Sequence, residues 1–371
     1  MAQPTRQDGH LASVLQPKAY PRSPVHTHLD PVIQGATRDA TKGRLDSSSP
    51  GGEKTLMRRD SRVVSQCVFA IVGPTAAGKS DLAIALARRL GGEVVNADSM
   101  QLYRGMDIGT AKLLPAERHG VRHHLIDVLD IGETATVAEF QSRARAAIAD
   151  CRARGVLPVV VGGSALYVRA VLDRFDFPGT DPAVRGRLEA ELAQHGSERL
   201  HARLAAVDPT AAAQILPSNG RRIVRALEVM DITGRPFTAT LPGHTYAYDD
   251  VRQVGLGVPR DVLDARIRAR VDRMWAAGFV AEVRRLESAG LRTGVTASRA
   301  LGYAQVLAFL AGETTEETAK EATVRATRRF ARRQDSWFRR DSRIDWLPYD
   351  APDLVDRAVG AVGAVEVVDP G

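Results

Sequence analysis

Cysteine is almost absent from this 371-residue chain: Cys67 and Cys151 are too few and too scattered for a disulfide framework. Long apolar runs are missing as well. None approaches the roughly 20 residues that cross a bilayer, and the N-terminus lacks a hydrophobic signal region. Together these absences predict a reduced, cytoplasmic protein with no membrane contact. Lysine is scarce too, limited to Lys18, Lys42, Lys54, Lys79, Lys112 and Lys320. The net charge of +7 and pI near 9.7 are therefore almost wholly arginine. Such a balance suits a polyanionic partner, and it makes Lys79 and Lys112 conspicuous as places where arginine was not used.

What is present begins with Gly73-Pro-Thr-Ala-Ala-Gly78-Lys79-Ser80, which satisfies every fixed position of the phosphate loop familiar from ATP-binding proteins. The apolar run Val68–Val72 before it reads as a strand, and Asp81–Leu90 after it has helical apolar spacing. A strand, a glycine loop and a helix N-terminus together turn backbone N–H groups and a positive dipole end toward an anion. Gly73, Pro74, Thr75, Ala76, Ala77, Gly78, Lys79 and Ser80 thus predict a site for a di- or triphosphate. Lys79 serves the terminal phosphate, and Ser80 ligates Mg²⁺ directly or through water.

Alternating strand and helix signals follow: Glu93–Asp98, His123–Leu129, a helix from Val137 to Arg154 entered at Thr134 or Thr136, and the continuous apolar run Leu157–Val161. The pattern predicts a doubly wound parallel α/β core of the P-loop NTPase type. Only helical signals occupy 181 to about 240, so an all-helical insertion is expected over 179–248. The core then spans 65–178 and 249–350, with helices at about 261–289, 298–311 and 315–340 and a last strand at Arg343–Leu347. Residues 1–64 read as a disordered extension and 351–371 as a tail.

Asp98 closes the second strand on the edge where α/β sheets bind ligands. It suits a proton acceptor, a metal ligand or a helix cap, and spacing does not choose among them. The fourth strand runs into Gly162-Gly163-Ser164 without the acid that usually organises Mg²⁺ and water in ATPases. That omission argues against a conventional ATPase, and the glycine pair allows a ligand close to the backbone. Arginines cluster at Arg221–Arg225, at Arg266–Arg270, and from Arg325 to Arg340 among Phe330, Trp337 and Phe338. The three together favour RNA over three solvated faces. His119, His123 and His124 form no metal-ligand pattern and read as satisfied or exposed.

The phosphate loop, Asp98–Gln101, Met106–Lys112, Gly162–Ser164, Arg222–Val229 and Leu301-Gly302-Tyr303 stand in an order and spacing that resemble the bacterial tRNA dimethylallyltransferases, over about residues 67 to 348. The resemblance implies transfer of a dimethylallyl group from its diphosphate to N6 of adenosine 37, beside the anticodon of tRNAs reading codons that begin with U. It implies Mg²⁺ and no ATP. Asp98 becomes the base toward the adenine amine. Lys79, Ser80 and the loop cradle the diphosphate, with Arg270 on its far side. Asp98, Ser99, Met100, Gln101, Ser164, Arg185, Arg221, Arg222, Arg225, Arg299, Leu301, Gly302 and Tyr303 would lie along the anticodon stem-loop. Ser164 stands where threonine is common, and Ala304 where a basic residue is common. A monomer is expected. The competing readings are an isopentenyltransferase acting on free adenine nucleotides and a phosphate-loop kinase for small molecules.

Overall fold

The computed structural model describes residues 66–175, 177–237 and 243–363. The extension expected over 1–64 lies outside them. Six strands, β1 (Val68–Val72), β2 (Glu93–Asn96), β3 (His123–His124), β4 (Pro158–Gly162), β5 (Val251–Gly257) and β6 (Ile344–Pro348), form one sheet in the order β3-β2-β4-β1-β5-β6. Every pairing is parallel. Successive strand residues feed opposite faces: Val68, Ala70 and Val72 of β1 enter one apolar core, and Phe69 and Ile71 enter the other. Burial on both faces explains why these strands are continuous apolar runs rather than alternating ones.

The helices are α1 (Lys79–Leu90), α2 (Val137–Ala153), α3 (Ala165–Leu172), α4 (Pro182–Val207), α5 (Pro209–Gln214), α6 (Gly220–Thr233), α7 (Arg260–Ala276), α8 (Phe279–Ser288), α9 (Tyr303–Leu310), α10 (Glu316–Phe338) and α11 (Leu354–Gly363). Thr136 caps α2 by accepting from the Glu139 N–H, and Asp181 caps α4 by accepting from Ala183 and Val184. Helices α4, α5 and α6 bury an apolar cluster of their own, including Leu188, Leu200, Leu204, Ile223 and Leu227. No described helix is long and apolar enough to cross a membrane.

Three expectations change. The third strand stops at His124, because Leu125 (φ 61) and Asp127 (φ 58) turn the chain out of the sheet. The helix expected over 261–289 is two helices, separated where Gly278 (φ 92) takes a left-handed conformation. The tail expected over 351–371 contains α11, whose Ala358, Val359 and Val362 pack into the core beside α1. Its short polar face, Asp356 and Arg357, hid the helical spacing.

Candidate active site

β1 delivers the chain at Val72 into the phosphate loop. Gly73 (φ 134) and Gly78 (φ 102) adopt angles that side chains rarely permit, and Ala76 (φ 65) is also left-handed. Alternating hands of backbone turn successive N–H groups inward. The N–H groups of a helix's first turn have no carbonyl within the helix, and at Gly78 no side chain caps α1 to satisfy them. A cleft of about 770 Å³ opens above them, walled by Lys79, Ser80, Asp98, Thr110, Arg270 and Phe330 among others.

Two cations lie deep in this cleft. Lys79 Nζ donates to the Pro74 carbonyl at 2.7 Å. Burial pushes its pKa down to about 8; Asp98 opposes the shift and Arg270 adds to it. Arg270 Nη1 donates to Thr75 Oγ1 at 3.1 Å and Nη2 to the Thr110 carbonyl at 3.3 Å. Burial holds Arg270 below its ordinary value as well; Asp98 again opposes and Arg273 adds. Among the described residues both cations are therefore bonded to neutral oxygens, and Asp98 is the acid that acts on both. An anion would relieve that imbalance.

Asp98 follows the buried Asn96, which accepts from the Asp98 N–H at 3.0 Å and donates to the carbonyls of Asp98 and Leu125. One carboxylate oxygen, Oδ1, accepts from the Met100 N–H at 2.9 Å. Oδ2 accepts no hydrogen bond among the described residues. The side chain thus stabilises the turn and still keeps an oxygen for a ligand's proton. Gln101 Nε2 donates to the Thr110 carbonyl at 3.2 Å. Ser164 sits at the N-cap of α3 but makes no capping bond, which leaves its hydroxyl available.

Sequence reasoning missed the residues that hold this arrangement. Buried Gln334 of α10 accepts from the Thr75 N–H at 2.9 Å and donates to the Gly163 carbonyl at 2.7 Å, joining the phosphate loop to the end of β4. Gly162 and Gly163 are small for the same reason. A Cβ on Gly162 would meet the Ala97 carbonyl oxygen at 2.6 Å, and one on Gly163 would meet Gln334 Nε2 at 2.4 Å. Their room is taken by the protein rather than by a ligand. Glu282 accepts from the N–H groups of Asp107, Ile108 and Gly109 and from the Tyr303 hydroxyl at 2.6 Å. Lys112, nearly inaccessible, ties Asp107 to Asp127 and to the Tyr103 carbonyl. Glu282 and Lys112 fix the Asp107–Thr110 wall of the cleft from two sides. A glutamate that caps distant backbone gives no sequence signal for such a role; the choice of lysine over arginine at position 112 marks that residue without showing what it holds.

The residues assigned to RNA contact divide. Arg221, Arg222 and Arg299 are exposed, and Leu301 is partly so. Gly302 and Tyr303 are buried, Tyr303 completely, so they shape the surface from below and do not reach a ligand. Arg185 and Arg225 both bind Glu228, which is fully buried. Arg225 also donates to the carbonyls of Pro178 at 2.6 Å and Gly179 at 3.1 Å. Burial raises the Glu228 carboxyl, but the bonds from Arg185 and Arg225 outweigh it and hold the group below its usual range. These two arginines form a joint at the start of the insertion.

At the far end of β2, Glu93, His124 and Cys151 bring one ligand-type atom each to within 4.8 Å of one another. Arg154 already grips Glu93 with bonds of 2.8 and 2.7 Å, and His124 Nε2 lies 2.7 Å from it. His124 is thus satisfied by its neighbours, and His119 is exposed.

The family described as IPP transferase matches residues 101–341. A Thermobifida fusca protein named tRNA dimethylallyltransferase is 69% identical over 300 residues, covering 80% of this chain and 94% of its own length. Among solved structures, the full-length tRNA isopentenylpyrophosphate transferase of Bacillus halodurans is 40% identical with a TM-score of 0.60, covering 80% of this chain and 94% of its own. A eukaryotic dimethylallyltransferase acting on tRNA superposes with a TM-score of 0.69 at 26% identity, covering 80% and 77% of the two chains.

Proposed function

The chain belongs to the IPP transferase family, and from that premise we propose that its cleft transfers a dimethylallyl group from dimethylallyl diphosphate to N6 of an adenosine in tRNA. It is an enzyme of tRNA modification. The finer substrate is adenosine 37, beside the anticodon of tRNAs reading codons that begin with U, following the motifs shared with the bacterial enzymes. The setting is the cytoplasm. A monomer suffices, since Lys79, Asp98 and Arg270 meet within one chain.

The observation that carries this reading is the pair of cations, Lys79 and Arg270, that line one cleft with Asp98 and the phosphate loop and bond to neutral oxygens. The bond from the allylic carbon to the diphosphate oxygen breaks, and the electron pair leaves with the diphosphate. Lys79, Arg270 and the loop N–H groups stabilise that growing charge. The amine nitrogen bonds to the carbon, and Asp98 Oδ2 takes the amine proton. Ser80, with Asp81 and Asp98 nearby, offers only hard oxygen donors, a set that suits Mg²⁺ shared with phosphate oxygens. Ser80 would hold the ion, which supplies further charge neutralisation at the diphosphate. A kinase reading has no acid at the end of β4 to support it. A reading with free adenine nucleotides leaves the insertion and its exposed arginines without a role.

Incubating the protein with unmodified tRNA, labelled dimethylallyl diphosphate and Mg²⁺ tests the proposal. Label retained in tRNA, and lost when the target adenosine is replaced by guanosine, is expected. Label appearing on free adenine nucleotides instead, or turnover of ATP without tRNA, would sink it.

A further inference from the structure

A second, smaller hollow of about 180 Å³ lies beside the cleft, between α3, β5 and the end of α10. Two elements lead directly from one to the other. Gly163 lines the cleft and Ala165 the hollow; Gln334 lines the cleft, while Trp337 and Phe338 line the hollow. At about 1.5 Å of rise per helical residue, Gln334 and Trp337 are separated by roughly 5 Å along α10.

The hollow is smaller than the roughly 300–1,000 Å³ usual for drug-sized ligands and suits a single ring system. Ala165, Val168 and Phe338 give it apolar walls. Trp337 stands in it with 39% of its surface exposed, an unusual state for an indole with no role. Buried Gln253 donates through Nε2 to the Tyr246 hydroxyl at 2.8 Å, and its Oε1 accepts no bond among the described residues. That oxygen can accept from an exocyclic amine. Neighbouring arginines are engaged, Arg339 with Asp335 and Arg343 with Asp341 and Asp173. Arg340, which lines the hollow, forms no ion pair among the described residues. Exposed Arg325, Arg329 and Arg332 continue the positive face back along α10.

We propose that this hollow holds a nucleobase: the base next to the adenosine that enters the cleft, stacked on Trp337. The inference rests on the tRNA reading above. Drawing one base out of a loop strips its neighbour of a stacking partner. An aromatic face on the next turn of α10 from the cleft can replace that partner, and single-stranded RNA is commonly held by such stacking with arginine alongside. A slot apolar along Ala165, Val168 and Phe338 and polar along His244, Asp341 and Gln253, an exposed indole, and a guanidinium with no ion pair among the described residues match one heterocycle with its phosphate.

The test measures binding of an unmodified anticodon stem-loop RNA, intact or with an abasic residue on either side of the target adenosine. Trp337→Ala should weaken binding of the intact RNA roughly ten-fold, Trp337→Phe should recover most of that, and affinity for dimethylallyl diphosphate should not move. One abasic RNA should bind the unaltered protein more weakly, yet bind Trp337→Ala no more weakly than the intact RNA does. Arg340→Ala, on an exposed side chain, should show a smaller coupling to the same abasic position, and it provides the readout if Trp337→Ala does not fold. Equal binding by the unaltered protein and Trp337→Ala, or abasic penalties that persist in full in both variants, overturns the pocket while leaving the tRNA reading intact. Failure of the unaltered protein to bind any stem-loop overturns the tRNA reading itself and the pocket with it.

Discussion

Arginine does opposite work in the cleft and at the root of the helical insertion. Among the described residues, Arg270 donates to Thr75 Oγ1 and the Thr110 carbonyl, beside a second half-buried cation, Lys79. Arg185 and Arg225 close on Glu228, a fully buried carboxylate that balances them. Both regions are arginine-bearing helices in sequence, α7 in the cleft and α4 and α6 in the insertion. The difference lies in the partner: a half-buried cation closing on a buried carboxylate is a structural joint, and one facing neutral oxygens marks a place for an incoming anion.

The largest effect is expected at the acid on the cleft side. Asp98→Asn removes the proton acceptor and keeps the turn, since its amide oxygen can still accept from Met100. Single-turnover transfer should fall ~10²–10⁴-fold while tRNA affinity stays within a few-fold. A near-normal rate would reduce Asp98 to a turn-forming residue. Lys79→Ala should cost ~2–4 kcal/mol in kcat/KM for the diphosphate substrate, as for other preorganised charge-stabilising groups, with little loss of folding stability.

Arg225→Ala should do the reverse. It leaves buried Glu228 with Arg185 alone and strips the carbonyls of Pro178 and Gly179 of their donor. We expect ~1–3 kcal/mol off the unfolding free energy, read from the denaturant midpoint, with an unchanged transfer rate at saturating substrates. Smaller in amplitude is the pH response. Lys79 is protonated below its folded pKa of about 8. Raising pH through that value removes a charge from the empty cleft, so kcat/KM for the diphosphate should decline above pH 8. The decline should survive in Arg225→Ala and disappear in Lys79→Ala. A flat profile from pH 7 to 9 in the unaltered protein would remove Lys79 from the diphosphate site.

Much of the fold was legible because its signals are local. The apolar run Val68–Val72, the fixed positions of the phosphate loop and the capping residues Thr136 and Asp181 each act within a few residues of themselves. The cleft was legible only in part. Lys79, Ser80 and Asp98 sit at places dictated by a loop and a strand end, so position alone singles them out. Gln334, Asn96 and Glu282 act through backbone groups elsewhere, Gln334 and Glu282 more than 170 residues away in sequence, and no period or motif announces such a bond. Arg225 shows the converse case. Its place in an arginine cluster suggests an RNA surface, and the sequence gives no sign of the ion pair it makes with buried Glu228. Tyr303 is similar: part of a recognisable motif, it exerts its effect from inside the core through Glu282.

The most direct test of the contrast between the two regions is a calorimetric titration of dimethylallyl diphosphate, with Mg²⁺ present, into Arg270→Ala and Arg225→Ala proteins that both retain their fold. Affinity should drop at least ten-fold for Arg270→Ala and remain that of the unaltered protein for Arg225→Ala. Equal affinities for the two variants, whether both weakened or both unaffected, would contradict the assignment of the uncompensated cations to the diphosphate.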